Sequence, residues 1–257
     1  MHEFKLTREN KDKVFAIFSE YQRIDLSVDS TIEGSSGKIF VNNLHEPTIY
    51  FLKSGPFYFI KGNSEDEDAI PMLKQIPLNS NIMAASEKWI EKLKELHGNN
   101  LVSCPRFILS SENLRSSQIQ NIIELSSIKE KVKRITLEIA KEIYLDKNHS
   151  FHLINFKSPE DFFQRGIGFY YKEENKFIGI ASSALVCSKG IEMNIMVIPE
   201  YRRKNIAKTL SCYLIKYCLE NKIVPHWNAG SVISLKLAES LNYKLVEKYI
   251  TYNIMGT

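Results

Sequence analysis

Between Arg202 and Lys208 the chain gathers four cations, Arg202, Arg203, Lys204 and Lys208, in a turn that follows the apolar run Ile195-Met196-Val197-Ile198. A helical pattern, Ile206, Leu210, Tyr213, Leu214 and Tyr217, comes next, with Lys208 and Lys216 toward its solvated side. A strand that feeds a tight turn and then a helix start aims unpaired backbone amides, together with roughly half a positive charge of helix dipole, at one point. Such a point attracts an anion, and the cations at its rim favour a diphosphate over a lone carboxylate. The competing reading is a basic connection with no binding role. Two groups nearby could move a proton: Glu192, on the strand itself, and His226, at the end of the strand Ile223–Ala229. Each also has a plain reading, Glu192 as a solvated or paired acid and His226 as a structural ring beside Pro225 and Trp227.

The elements around these residues follow from local signals. Pro199 has no amide donor and ends the apolar strand, and Asn205 stands where a helix cap belongs. Ahead of them the order is a strand from Val132 to Leu137, a helix from about Glu138, a helix opened by Ser158-Pro159-Glu160-Asp161, and strands Gly166–Tyr171 and Phe177–Val186 joined at Glu173-Glu174-Asn175-Lys176. Behind them lie a helix opened by Ser231 and a last strand in which Tyr249, Thr251 and Tyr252 fall. In the first half, a helix is predicted over residues 7 to 26 with Thr7 as its cap, then strands Lys38–Asn42, Thr48–Lys53 and Phe57–Lys61, the last two turned by Ser54-Gly55-Pro56. Ser64-Glu65-Asp66-Glu67 has capping-box spacing and predicts a helix start rather than a metal site. Ser86 opens and Gly98 closes another helix, with Trp89, Ile90, Leu93 and Leu96 inward, and Pro105–Leu109 reads as a strand.

The spacing V-x-P-x-Y-R-x-x-N-x-A from Val197 to Ala207 resembles the acyl-CoA signature of the GNAT N-acetyltransferases, V-x-P-x-x-R-x-x-G-x-[GA]. A second run, Ser231-x-x-Ser234-x-x-Leu237-Ala238-x-x-Leu241-Asn242-Tyr243, resembles that superfamily's later pattern, N-x-x-[SA]-x-x-[LF]-x-x-x-x-G-[FY]. The Pro225-x-Trp227-Asn228-Ala229 run before it is similar to a two-domain group that includes zwittermicin A resistance acetyltransferases. The resemblance implies a GNAT fold, a mixed α/β (α+β) architecture with a central sheet flanked by helices, preceded by an N-terminal α/β domain. It implies acetyl-CoA as cosubstrate, with its pantetheine arm along Met196 and Val197. The diphosphate would lie on Arg202, Arg203, Lys204, Asn205, Ile206, Ala207 and Lys208, with contacts to the arm from Ser231 and Ser234. The Val197 amide is the implied donor to the thioester carbonyl. Three positions depart from the pattern: Asn205 and Asn242 stand for glycines, and Ser231 for an asparagine. Asparagine tolerates positive φ better than other non-glycine residues. The tyrosine acid of many relatives is absent, because Leu237-Ala238 occupies its place.

Composition limits the alternatives. The 257 residues suffice for two domains, placed at 1–127 and 128–257 with the junction in the serine- and asparagine-rich stretch of residues 110 to 127. The net charge of +4, from 34 basic and 30 acidic residues, is spread without a basic block and argues against a nucleic-acid partner. Cys104, Cys187, Cys212 and Cys218 have neither zinc spacing nor a disulfide framework, which suits small buried groups in a reducing compartment. No signal peptide is read at the start, and the apolar runs are shorter than the roughly twenty residues that cross a bilayer. The expectation is a cytoplasmic monomer or homodimer without metal or membrane partner. It transfers an acetyl group directly to a small amine, with Glu192 or His226 as base and residues 1–127 walling the acceptor side or serving only for packing. The alternative is a degenerate acyl-CoA-binding regulatory module without turnover.

Overall fold

A computed structural model describes residues 1–256, which divide into two compact units, Met1–Arg106 with the stretch from Lys248 onward, and Phe107–Glu247. In chain order the first half contains β1 (His2–Phe4), α1 (Lys11–Phe18), α2 (Ser27–Ile32), β2 (Lys38–Val41), β3 (Ile49–Ser54), β4 (Phe57–Gly62), α3 (Ala69–Leu73), β5 (Asn81–Ala84), α4 (Glu87–His97) and β6 (Leu101–Ser110). The second half contains α5 (Ser116–Glu124), β7 (Val132–Arg134), α6 (Leu137–Leu145), α7 (Pro159–Arg165), β8 (Gly168–Glu173), β9 (Lys176–Cys187), β10 (Gly190–Val197), α8 (Ile206–Glu220), β11 (Pro225–Ala229), α9 (Val232–Glu239) and β12 (Lys244–Ile254).

In the first unit the strands run in the order β1-β2-β3-β4-β5-β12. The pairs are antiparallel except β4 with β5, and the end of β12 returns along β5 with Tyr252 opposite Ile82. A core of this unit is built on Ile49, Phe51, Ile60, Leu73, Trp89 and Leu93. The Ser54-Gly55-Pro56 hairpin forms as expected, with Ser54 opposite Phe57 and Gly55 at φ +54°. So does the Ser86 cap, whose hydroxyl accepts the Trp89 amide, and Gly98 ends α4 at φ +51°.

Two helices differ from expectation. The predicted helix over residues 7 to 26 is broken into α1 and a 3-10 turn at Ser19–Tyr21, with α2 beginning at Ser27. Thr7 and Asn10 exchange side-chain bonds with each other's amides, which closes a turn before α1 can start. At its far end Asp25 accepts the Ser27 amide and opens a separate helix. The helix expected from Ser64 begins instead at Ala69, because Asn63 and Asp66 accept the amides of Glu65 and Asp68 and hold the acidic run in turns.

In the second unit the order is β7-β8-β9-β10-β11-β6, antiparallel except for β10 with β11. On one face α8 and α5 cover a core containing Ile123, Ile191, Met193, Val197, Leu210, Leu214 and Trp227. On the other, α6, α7 and the turn Ser150–Leu153 close over Ile143, Leu153, Phe162, Tyr170 and Ile180. Helix α8 approaches closely where β9 carries Gly179, at which a Cβ would stand 2.9 Å from both Leu210 Cδ1 and Val197 Cγ2. The Ser158 cap and Pro159 open α7 as predicted. Strand β10 starts at Gly190, whose φ of +137° and absent side chain let it lie against the Val224 carbonyl, 2.2 Å from where a Cβ would be. Ile191 then takes that carbonyl at 3.0 Å, which sets the register of β10 against the segment entering β11.

Candidate active site

Strands β10 and β11 pair only at Ile191↔Pro225 and Glu192↔His226. Beyond that point β11 follows β6, with Trp227, Asn228 and Ala229 opposite Leu109, Ile108 and Phe107, and the two parallel strands part company. Pro225 assists the parting, since it brings no amide to the ladder. On the β9 side the Ile198 amide bonds to the Ile178 carbonyl at 3.0 Å, so every second pair before it, Met196 with Ile180 included, is a hydrogen-bonded pair. The backbone groups of Ile195 and Val197 therefore point the other way, toward the edge that β11 has left. Ile195 was not singled out by the sequence, because the direction of an amide depends on the phase of the ladder.

Glu192 stands where the strands separate. Its Oε1 accepts the Asn228 amide at 2.7 Å, and the residue is 8% exposed. The side chain thus spans the top of the opening, taking a donor that the β10 backbone no longer reaches. The irregularity between Glu192 and Met193 belongs to β9, which passes from Leu185 to Ser183 while β10 advances one residue. His226 lies opposite Glu192, and its Nε2 meets the Lys189 carbonyl of the β9–β10 turn at 3.3 Å. Tyr243 reaches the same region from below: its hydroxyl donates to the Pro225 carbonyl at 2.9 Å, and burial pushes the phenol well above its usual range.

After β10 come the 3-10 turn Pro199–Tyr201 and then two left-handed residues, Arg203 at φ +62° and Asn205 at φ +59°. Asn205 adopts the conformation that the glycine-like position requires, with no side-chain cap; its carbonyl receives both the amide and the hydroxyl of Thr209. Arg203 is less suited to that basin, at a cost of about 1–2 kcal/mol. Strain of this kind collects at ligand-binding turns. The result is a concave series of amides: those of residues 203 to 208 meet no protein acceptor among the described residues. The Arg202 Nε donates to the Val197 carbonyl at 3.2 Å and braces the turn on the strand. Arg203 and Lys204 are exposed, and the Lys204 ammonium lies 4.8 Å from the centre of the Tyr201 ring. In α9 the Ser231 hydroxyl accepts the Ser234 amide and the Ser234 hydroxyl accepts the Trp227 indole, which leaves each serine its own O–H to donate. Asn242 takes φ +77° and donates its amide to the Asn113 carbonyl.

The β9–β10 ladder has a buried polar support. His152 is 1% exposed with Nδ1 2.7 Å from Ser182 Oγ, and Ser182 pairs with Asn194. Burial, reinforced by the neighbouring His149, lowers its pKa to about 3. The unfolded imidazole titrates near 6.5, so between that value and about 3 the unfolded chain binds a proton that the folded one refuses. Stability is complete above 6.5 and falls as the pH drops, by about 2 kcal/mol between pH 7 and 5. Urea midpoints over that range check this, and His152→Asn should flatten the slope. An unchanged slope would assign the pH dependence to other groups.

Cys212 and Cys218 are fully buried in α8, where burial pushes each thiol up to about 12 and deprives it of nucleophilic character. Among the described residues no group of three or more His, Cys, Asp or Glu is placed to hold a metal, and no helix is long and apolar enough to cross a membrane.

The site thus combines two parallel strands that part with a turn of unclaimed amides at the head of the next helix. A model of the GNAT acetyltransferase family matches residues 19–252, and the chain belongs to that family. It is 24% identical over 240 residues to the uncharacterized N-acetyltransferase YdfB of Bacillus subtilis (strain 168), covering 88% of this chain and 87% of that protein. Its fold is shared with a GCN5-related N-acetyltransferase-like protein from Streptococcus suis 89/1591, with a TM-score of 0.84 at 23% identity over 95% of this chain and 98% of that one. A GNAT-family acetyltransferase from Colwellia psychrerythraea gives a TM-score of 0.52 at 12% identity, with 99% and 98% of the two chains covered.

Proposed function

We propose that this chain transfers the acetyl group of acetyl-CoA to the amine of a small molecule by direct attack. The observation that carries the reading is the left-handed turn at Arg203 and Asn205, whose amides are unclaimed by the protein and stand at the end of the strand whose edge is open. The diphosphate rests on the amides of residues 203 to 208, with the Arg203, Lys204 and Lys208 side chains supplying charge and Arg202 bracing the turn. The pantetheine arm takes up the β10 edge at Met196 and Val197, touched by the Ser231 and Ser234 hydroxyls. The thioester carbonyl lies at the amides of Val197 or Ile195, where developing negative charge is stabilised. The amine nitrogen bonds to the carbonyl carbon, the carbon–sulfur bond breaks, and the amine proton passes to the Glu192 carboxylate directly or through water, from which it is released to solvent as water protonates the departing thiolate. His226, paired opposite Glu192 with its Nε2 3.3 Å from the Lys189 carbonyl, is the other candidate for that proton.

A second reading, an acyl-CoA-binding module without turnover, draws support from the protein bonds that Glu192, Ser231 and Ser234 already accept. Titration calorimetry with acetyl-CoA followed by thiol release over a panel of amines separates the two. Binding with amine-dependent release is expected. Binding without release under any amine favours the module, and no binding removes both.

A further inference from the structure

Beside the turn lies a carboxylate whose position is electrostatically wrong for a bystander. Glu173 ends β8 at the tip of the β8–β9 hairpin, where Glu174 turns the chain at φ +50°. The Tyr201 hydroxyl donates to Glu173 Oε2 at 2.8 Å, and the Tyr171 hydroxyl donates to Oε1. Lys131 approaches Oε1 at 3.5 Å while its ammonium also lies 5.6 Å from the Tyr171 ring centre. Tyr201 in turn carries Lys204 over its ring at 4.8 Å and immediately precedes Arg202 and Arg203. The two phenols hold the Glu173 carboxyl below the usual range, so it is an anion at neutral pH. An uninvolved anion here would repel a diphosphate on the neighbouring amides.

Building on the acetyl-CoA reading above, we infer that Glu173 is a positioning residue for the diphosphate turn: through the Tyr201 hydroxyl it fixes the entry to that turn and aims Lys204. Its repulsion of the ligand is outweighed by the order it imposes on the amides and on the lysine. Preorganised donors bind more tightly than mobile ones because less freedom is lost on association.

The inference predicts a sign opposite to that of simple charge. Glu173→Gln removes a negative charge near a polyanion and would strengthen acetyl-CoA binding were the residue a bystander. It is expected to weaken binding by roughly five- to tenfold, as is Tyr201→Phe, which deletes one oxygen and keeps the ring under Lys204. The double variant should fall within about twofold of the weaker single one, because both break the same contact. Glu200→Gln, on the same turn, removes an equal charge and serves as the control that must not weaken binding. With any amine that turns over, KM for acetyl-CoA should rise in Glu173→Gln while kcat stays level, a split that general loss of structure would not produce. Titration calorimetry at one ionic strength and the melting temperature of each unliganded variant complete the measurement. Equal or tighter binding by Glu173→Gln and Tyr201→Phe, with the wild type binding normally, overturns the inference and leaves the acetyl-CoA reading standing. Failure of the wild type to bind acetyl-CoA overturns both. Should Glu173→Gln not fold, Tyr201→Phe decides the matter alone.

Discussion

Glu192→Gln is expected to lower acetyl transfer by about two to three orders of magnitude while acetyl-CoA affinity stays within about twofold. Glutamine is nearly isosteric and its side-chain oxygen can still accept the Asn228 amide, so the strut between β10 and β11 survives. What glutamine cannot do is accept a proton from the attacking amine. Glu192→Ala removes the strut as well. The Asn228 amide then loses its carboxylate partner in a half-buried place, and about 1–3 kcal/mol of stability should go with it. Rates from thiol release and melting temperatures of the two variants give the comparison. If glutamine retains more than half the wild-type rate and only alanine is impaired, Glu192 is a strut and the base lies elsewhere.

Arg203 and Lys204 replaced together by alanine should weaken acetyl-CoA binding by about ten- to a hundredfold near physiological salt, with the melting temperature shifted by no more than about two degrees. Both residues are exposed, so little packing is lost. Alanine at position 203 is no better suited to φ +62° than arginine, and the strain in the turn is therefore unchanged. The variant should also bind with a shallower dependence on salt, since two cations that sense the polyphosphate are gone. Unchanged affinity and unchanged salt dependence would move the diphosphate away from this turn. The two substitutions probe different stages: the first leaves binding and removes turnover, the second weakens binding before chemistry begins.

Local signals along the chain carried much of this molecule. The switch from a branched apolar strand to a helical period at Asn205, the hairpin at Gly55, and the helix starts at Ser86 and Ser158 depend on residues a few positions apart, and each forms as read. The expectation for residues 7 to 26 fails at the same scale, because side-chain bonds within Thr7–Asn10 and Asp25–Ser27 compete with a helix that the apolar spacing alone favoured. The clasp at Glu173 had no signature, as its partners Tyr201 and Lys131 are 28 and 42 residues away in sequence.

By itself, then, the order of residues determined the strand, the basic turn and the helix that follow one another from Ile195 to Leu210, because local backbone preference and periodicity act over a few residues. It also determined that left-handed geometry was available at Asn205 and Asn242, as side-chain chemistry sets that tolerance. Only the tertiary structure decided that β10 and β11 separate after Glu192, that Ile195 and Val197 turn their amides to the open edge, and that the Glu192 carboxylate is held by Asn228. Those facts depend on register and on contacts between distant segments, and register emerges only when the strands pack against a shared core.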